Sequence, residues 1–124
     1  MDRHPIAIID DDEGLCNSIG DFLRAHEYDV ELFLSAELFL NSLGRLTFGC
    51  VIADIYMPGT SALTLVRTLR ESGNTVPVIL ITGALDKHLE EVAVSLGAQC
   101  LLRKPLETSV LLDQLRMSLS DDRA

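Results

Sequence analysis

The sequence predicts an α/β fold in which a five-stranded parallel sheet is covered by helices on both faces. Five short, almost wholly apolar runs alternate with five segments whose apolar residues recur at helical spacing. This pattern is typical of buried parallel strands joined by amphipathic helices. The 124 residues, 48% of them hydrophobic, are enough for one domain with its own core. We expect a single domain over residues 1–124, with a core of about 5–119 and a frayed tail of 120–124.

The strands are predicted where short apolar runs stop at a polar or turn-forming residue. The first run ends in consecutive acidic residues, which suit the positive N-terminal end of the helix that follows. The second run alternates only weakly, as expected of an edge strand. The five predicted strands are residues 5–9, 29–33, 50–53, 77–81 and 99–102.

The helices are predicted from apolar residues spaced three or four positions apart. Ser35 is expected to cap the second helix, and Gly44, Gly73 and Gly97 mark the ends of the second, third and fourth helices. The five apolar stripes are Leu15, Ile19, Phe22 and Leu23; Ala36, Phe39, Leu40 and Leu43; Ala62, Leu65, Val66 and Leu69; Leu89, Val92, Ala93 and Leu96; and Leu111, Leu112, Leu115 and Leu119.

Composition and charge exclude several classes of function. The chain carries a net charge of −9 and has no Trp, so phosphate backbones and anionic membranes repel it, and we expect no direct binding to nucleic acid or membrane. The longest apolar run is too short to span a bilayer, and the N-terminus has no signal core. Cys16, Cys50 and Cys100 lack metal-ligand spacing, and we expect reduced thiols in a cytoplasmic protein.

Polar residues interrupt the apolar pattern at the ends of four predicted strands. The first strand is followed by the acidic run 10–12, the third by Asp54, the fourth by Thr82 and the fifth by Lys104. Because the carboxyl ends of parallel strands share one edge of a sheet, these side chains are expected together. In the strand order 2-1-3-4-5, the first and third strands are neighbours, about 4.8 Å apart. Asp10 or Asp11 is then forced close to Asp54.

Such a cluster has the parts of a small phosphoryl-transfer site. Close carboxylates repel one another, and a hard divalent cation such as Mg²⁺ is the natural compensation. Asp54 is the candidate nucleophile, Lys104 reaches the cluster on its long stem, and Thr82 offers a hydroxyl. The alternative is purely structural, with the acids of residues 10–12 and Asp54 as caps, Thr82 as a turn residue and Lys104 as a surface charge.

Four motifs along the chain resemble the receiver domain of two-component response regulators over roughly residues 6–119. They are Ile8-Ile9-Asp10-Asp11-Asp12-Glu13, Val51-Ile52-Ala53-Asp54-Ile55-Tyr56-Met57-Pro58-Gly59, Ile79-Leu80-Ile81-Thr82-Gly83 and Leu102-Arg103-Lys104-Pro105. Among receivers, the stretch from Ser35 and the Thr-Gly after the fourth strand look most like the nitrogen-fixation and LuxR-type regulators. The resemblance implies a flavodoxin-like (βα)5 three-layer sandwich with the strand order 2-1-3-4-5.

The resemblance also implies a role for each residue of the cluster. Asp54 would be the phospho-acceptor, and Asp10 and Asp11, rather than Asp12, would hold Mg²⁺ together with Asp54 and the main-chain carbonyl of Tyr56. Lys104 would pair with the phosphoryl group. Thr82 would move to bond it and so act as a switch, and the Lys104–Pro105 peptide bond is expected to be cis.

The sequence departs from the family pattern at three positions. Leu101 stands where the family usually has an aromatic switch residue, three positions before the lysine. Ala62 stands where a glycine is usual, and Leu106 follows Lys104-Pro105 where Phe is usual. Leu101 is therefore the candidate partner of Thr82 in a switch that also involves the fourth helix, from Asp86 to Leu96, and the strand 99–102.

The resemblance implies a signalling domain rather than an enzyme. A histidine kinase or a phosphotransfer protein would supply the phosphoryl group, and an output domain or downstream protein would respond; the resemblance also allows a homodimer that forms on phosphorylation. Tyr56 and Ala84 flank the predicted site, and their bulk and lack of polarity favour slow self-dephosphorylation. One alternative is a degenerate receiver that binds partners regardless of phosphorylation. A phosphate-ester hydrolase is disfavoured, because Tyr56 stands where such enzymes place a general acid.

Overall fold

Five parallel strands form one sheet in the order β2-β1-β3-β4-β5, as predicted. The structure is a computed structural model that describes residues 4–57, 59–84 and 87–120. The strands are β1 (Ile6–Ile9), β2 (Val30–Phe33), β3 (Cys50–Asp54), β4 (Val78–Thr82) and β5 (Cys100–Arg103). Every residue of β1, β3 and β4 is buried, because helices cover both faces of the sheet.

Two layers of helices enclose the sheet. The helices are α1 (Glu13–Ala25), α2 (Ala36–Ser42), α3 (Ala62–Glu71), α4 (Lys87–Ser95) and α5 (Thr108–Ser120). Helices α1 and α5 pack with alternate strand residues such as Ile52 into one core cluster, whereas α2, α3 and α4 pack with residues such as Val51 into the other. The arrangement is the flavodoxin-like (βα)5 three-layer sandwich that the sequence predicts.

An aromatic group fixes the short helix α2 to the sheet. Phe39 of α2 is fully buried, and its ring centroid lies 5.6 Å from that of Phe33 and 5.3 Å from that of Phe48. The Phe33 ring also lies at 5.8 Å from the Phe48 ring. Ser35 caps α2 as predicted, since its hydroxyl accepts a hydrogen bond from the Leu38 amide at 3.1 Å.

The register of the sheet sets where each strand ends. Ile9 lies beside Ala53, Asp54 beside Ile81, and Thr82 beside Arg103. The residue after Ile9 is Asp10 and the residue after Arg103 is Lys104. The polar residues therefore reach the same edge of the sheet at nearly the same level.

Most strand boundaries differ from the predicted ones by a single residue. β3 and β4 continue through Asp54 and Thr82, and β5 begins and ends one residue later than expected. The backbone ladder explains this difference, because the Ile55 amide donates to the Ile81 carbonyl and the Lys104 amide donates to the Thr82 carbonyl, each at 2.8 Å. The strands thus extend past the apolar runs from which they were predicted. Asp86 and the tail 121–124, which the predictions also covered, lie outside the described residues.

Glycines end α3 and α4 where the sequence places them. Gly73 and Gly97 have φ values of +84° and +111°, a backbone conformation that glycine adopts at no steric cost. Gly44, by contrast, follows the C-cap residue Leu43 of α2 and is not among the glycines with positive φ. Of the three cysteines, Cys16 and Cys50 are buried and Cys100 is partly exposed, and all three are free thiols. Within residues 4–57, 59–84 and 87–120, no helix is long and apolar enough to cross a bilayer.

Candidate functional site

Asp10 sits immediately after β1 with only 2% of its surface exposed. Its amide donates to the Phe33 carbonyl at 3.0 Å, which continues the sheet ladder. Its Oδ1 atom accepts a hydrogen bond from the Asp12 amide at 2.9 Å. Its Oδ2 atom is buried and has no hydrogen-bond partner among the described residues. A buried carboxylate oxygen left in this state is costly unless a cation or a proton compensates it.

Asp54 ends β3 and is 7% exposed. Its Oδ1 atom accepts a hydrogen bond from the Tyr56 amide at 3.0 Å. Its Oδ2 atom accepts one from the Lys104 ammonium at 2.6 Å, and the same Nζ atom lies 3.8 Å from Asp10 Oδ2. Lys104 is thus placed between the two buried carboxylates, and the Lys104–Pro105 peptide bond is cis.

The acidic run after β1 divides into residues that face the cluster and one that caps a helix. Carboxylate oxygens of Asp10, Asp11 and Asp54 all lie within 4.8 Å of one another, with Asp11 exposed to solvent. Asp12 instead accepts a hydrogen bond from the Leu15 amide at 3.1 Å and is the N-cap of α1. The structural alternative therefore holds for Asp12, whereas the other two acids join Asp54.

This donor set fits a hard divalent cation. Three carboxylates supply the oxygen ligands that Mg²⁺ prefers, and the buried Asp10 Oδ2 atom accepts no hydrogen bond from the part of the chain that the structure describes. One carboxylate is exposed, so that an ion and its remaining waters would have access from solvent. The residues present are thus chemically suited to the ion that the sequence predicts.

The electrostatic environment raises two pKa values in the cluster. Burial raises the pKa of Asp10 above its ordinary value, and the charge of Asp54 adds to the rise, while the hydrogen bond from the Asp12 amide opposes it. Burial alone would lower the pKa of Lys104, but the hydrogen bond to Asp54 and the charge of Asp10 outweigh burial, and the pKa is raised. Lys104 therefore remains an ammonium at neutral pH.

Thr82 ends β4 and Leu101 lies on the neighbouring strand β5, and the two side chains make different contacts. Thr82 is fully buried, and its Oγ1 atom accepts a hydrogen bond from the Ala84 amide at 3.1 Å and lies 3.4 Å from the Ala84 carbonyl. Its hydroxyl is thus engaged with its own loop. Leu101 pairs with Leu80 across β4 and β5, and with 5% of its surface exposed it belongs to the core cluster that includes Ala93 of α4. Tyr56, in contrast, is 64% exposed.

One contact beside the site has no counterpart in the sequence predictions. The carboxylate of Glu37, in the first turn of α2, accepts hydrogen bonds from both the amide and the hydroxyl of Thr60 in the loop after Asp54. The hydroxyl bond is the main reason why the pKa of Glu37 is lowered. An acid in the first turn of a helix is commonplace, and nothing in the local pattern links two residues that lie 23 positions apart.

Comparison with known proteins identifies the family. A sheet with this strand order, with carboxylates and a lysine at its carboxyl edge, defines a doubly wound protein whose site lies at the switch point between β1 and β3. The family model for the response regulator receiver domain matches residues 6–116. The chain therefore belongs to the response regulator receiver family, as its motifs predict.

Curated relatives agree with this assignment. The response regulator protein TodT of Pseudomonas putida is 36% identical over 114 residues, which cover 92% of this chain and 50% of TodT. The transcriptional regulatory protein FixJ of Bradyrhizobium diazoefficiens is 36% identical over 102 residues, which cover 82% of this chain and 50% of FixJ. The chain thus spans about half the length of these relatives. The presence of FixJ is consistent with the predicted likeness to nitrogen-fixation regulators.

Solved structures show the same fold. The crystal structure of FixJ-N superposes on this chain with a TM-score of 0.88 at 28% identity, and the match covers 97% of this chain and 96% of FixJ-N. The Francisella response regulator 1452 receiver domain gives a TM-score of 0.91 and covers 97% of this chain and 99% of that one. At 17% identity, this second likeness supports the fold alone.

Proposed function

We propose that this domain is a phospho-acceptor signalling switch. Asp54 takes a phosphoryl group from a histidine kinase or a phosphotransfer protein, and the modified domain changes its affinity for an output domain or a downstream protein. The observation that carries the proposal is the placement of Asp54, whose carboxylate is held by Lys104 at 2.6 Å beside Asp10 and Asp11. Membership of the receiver family supports the same function.

In the proposed transfer, a carboxylate oxygen of Asp54 attacks the phosphorus atom, a P–O bond forms, and the P–N bond to the donor histidine breaks. The imidazole leaves with the electron pair of that bond and takes a proton. Asp10 and Asp11, with Asp54 and the carbonyl of Tyr56, would hold Mg²⁺, which supplies positive charge against the phosphoryl oxygens. The Lys104 ammonium, already bonded to Asp54 Oδ2, remains at hand to pair with the phosphoryl group.

The proposed switch begins at Thr82. In the unphosphorylated domain its hydroxyl oxygen accepts a hydrogen bond from the Ala84 amide. On phosphorylation, the hydroxyl would exchange this contact for a hydrogen bond to the phosphoryl group. Leu101 packs in the core cluster that contains Ala93 of α4, so it would repack as the loop moves. The two arrangements are a two-state element that phosphorylation biases.

Incubation with acetyl phosphate and Mg²⁺ tests the proposal directly. Intact-mass measurement is expected to show one added phosphoryl group in the wild-type protein and none in Asp54→Asn, because the amide is not a nucleophile for this transfer. Asp10, Asp11 and Lys104 keep their identities in that variant. Equal labelling of the variant would remove Asp54 from the role of acceptor.

A phosphorylation-independent receiver is the second candidate function. It is favoured by Leu101, which replaces the usual aromatic switch residue and is already buried in the core. Partner affinity, measured for labelled and unlabelled protein, separates the two functions. Equal affinity of both forms would favour the second candidate, whereas a phosphorylation-dependent change would favour the switch.

Truncation of Tyr56 is expected to shorten the lifetime of the phosphorylated form. The side chain is large and exposed and lies two residues after Asp54, and the apolar Ala84 lies two residues after Thr82. We expect these two side chains, one on each side of the proposed site, to restrict the approach of water. Loss of the phosphoryl group from wild type and Tyr56→Ala, followed by intact mass, checks this expectation. An unchanged half-life would show that Tyr56 does not limit hydrolysis.

A further inference from the structure

Helix α2 holds the loop that follows Asp54 through one carboxylate. Glu37 Oε2 accepts a hydrogen bond from the Thr60 amide at 3.1 Å and a second one from the Thr60 hydroxyl. The loop passes so close that a Cβ atom on Gly59 would lie 3.2 Å from the same oxygen, and Gly59 has a φ of +84°. Glycine is thus suited to position 59 both by its backbone conformation and by the limited space beside the Glu37 carboxylate.

The support beneath Glu37 is rigid. Its helix is fixed by the fully buried ring of Phe39 against Phe33 and Phe48, and by the Ser35 cap. An acceptor on such a support fixes what it binds more firmly than an acceptor on a loop does. Glu37 therefore acts on the loop from a helix that is packed against the core.

The loop has anchors on both sides of the segment that carries Tyr56. At its start, the Ile55 amide donates to the Ile81 carbonyl at 2.8 Å, and the Tyr56 amide donates to Asp54 Oδ1 at 3.0 Å. At its end, Ser61 caps α3 through the Thr64 amide. The Thr60 amide, four residues after Tyr56, hydrogen-bonds to Glu37 and so links this loop to α2.

On the proposed function, the main-chain carbonyl of Tyr56 is a cation ligand and the neighbouring Asp54 is the acceptor. We infer that Glu37 is a positioning residue for this site, which through Thr60 holds the loop after Asp54 in the arrangement that binds Mg²⁺. The carbonyl of a free loop would have to be ordered when the ion binds, and that cost would appear as weaker affinity. Residues that orient metal ligands from outside the coordination sphere act in this way.

Magnesium titration by calorimetry tests the inference on three single variants. Glu37→Ala removes the acceptor and is expected to weaken Mg²⁺ binding by about tenfold, the lower end of the effect of outer-shell partners. Glu37→Gln loses the same charge but keeps an oxygen acceptor, so its affinity should lie closer to that of wild type. Glu90→Ala is the matched control, since Glu90 is likewise an acidic residue in the first turn of a helix. It should bind Mg²⁺ as wild type does.

Three further measurements separate positioning from a general loss of structure. Phosphorylation of Glu37→Ala by acetyl phosphate should be slow at low Mg²⁺ and should recover at saturating Mg²⁺, a recovery that a misfolded site would not show. In metal-free protein, hydrogen exchange of the Thr60 amide should be faster in Glu37→Ala than in Glu90→Ala. A Glu37→Ala, Thr60→Val double variant should be no weaker in Mg²⁺ binding than Glu37→Ala alone, because both changes break the same link.

The outcomes distinguish this inference from the proposed function on which it rests. If wild type binds Mg²⁺ and is phosphorylated while Glu37→Ala matches it in affinity, only the inference is overturned. If Glu37→Ala and Glu37→Gln weaken binding equally, charge alone is responsible and positioning is also overturned. If wild type neither binds Mg²⁺ nor takes a phosphoryl group, both fail together.

Discussion

Replacement of Asp10 by Asn is expected to weaken Mg²⁺ binding by about a hundredfold, because loss of a ligand costs at least as much as loss of an outer-shell partner. In the absence of divalent cations, the same variant is expected to have a higher free energy of unfolding than wild type. Asp10 is 2% exposed, and its Oδ2 atom has no hydrogen-bond partner among the described residues. The Asp10 charge therefore lowers the free energy of unfolding of the metal-free protein.

The two effects have one origin in the carboxylate cluster. Oxygens of Asp10, Asp11 and Asp54 lie within 4.8 Å of one another, and the Lys104 ammonium compensates Asp54 at 2.6 Å more fully than Asp10 at 3.8 Å. An Asn oxygen can still accept the bond that Asp10 Oδ1 receives from the Asp12 amide. Removal of the charge should then raise the free energy of unfolding by about 1 kcal/mol.

Asp12→Asn is the matched control for this prediction. It removes one charge from the same acidic run, but Asp12 is the N-cap of α1, and Asn serves as an N-cap about as well as Asp does. Calorimetric titration with Mg²⁺ and urea denaturation in EDTA compare both variants with wild type. Undiminished Mg²⁺ affinity in Asp10→Asn would exclude Asp10 as a ligand, and a loss of stability in EDTA would contradict the electrostatic account.

The fold could be predicted because the buried strands are visible in the sequence as short runs of apolar residues. Runs such as residues 50–53 and 77–81 are apolar throughout. This pattern distinguishes strands that are buried on both faces from strands that have one solvent-exposed face. Once the strands are parallel, their carboxyl ends must share an edge, and the meeting of Asp54 with Lys104 follows from topology.

What the sequence could not predict depends on backbone geometry and tertiary placement. Three consecutive acids follow β1, and their local chemistry alone does not tell them apart. The family resemblance selected Asp10 and Asp11, and in the structure these two lie in the cluster while Asp12 caps α1. The hydrogen bonds between Glu37 and Thr60 join residues that lie 23 positions apart in the sequence. Neither residue breaks a periodic pattern, so local reasoning gives no sign of them.

Truncation of Phe39 to Ala is expected to lower the free energy of unfolding by about 3–5 kcal/mol, the usual cost of such a change in a packed core. Phe39 is fully buried, and its ring lies within 5.6 Å of the Phe33 ring and 5.3 Å of the Phe48 ring, centroid to centroid. The surrounding helices and sheet cannot close such a space completely. Urea denaturation in metal-free buffer measures the effect.

Leu38→Ala provides the control from the same helix. The Leu38 side chain is 55% exposed, so its truncation should change the free energy of unfolding by no more than about 0.5 kcal/mol. Similar losses in the two variants would show that helix propensity, and not the aromatic packing, fixes α2 to the sheet. If the packing does fix α2, Phe39→Ala should also loosen the hold of Glu37 on the loop after Asp54. Hydrogen exchange at the Thr60 amide should then be faster in Phe39→Ala than in wild type, although Glu37 is retained. That result would show that packing in the core affects the loop at the candidate site.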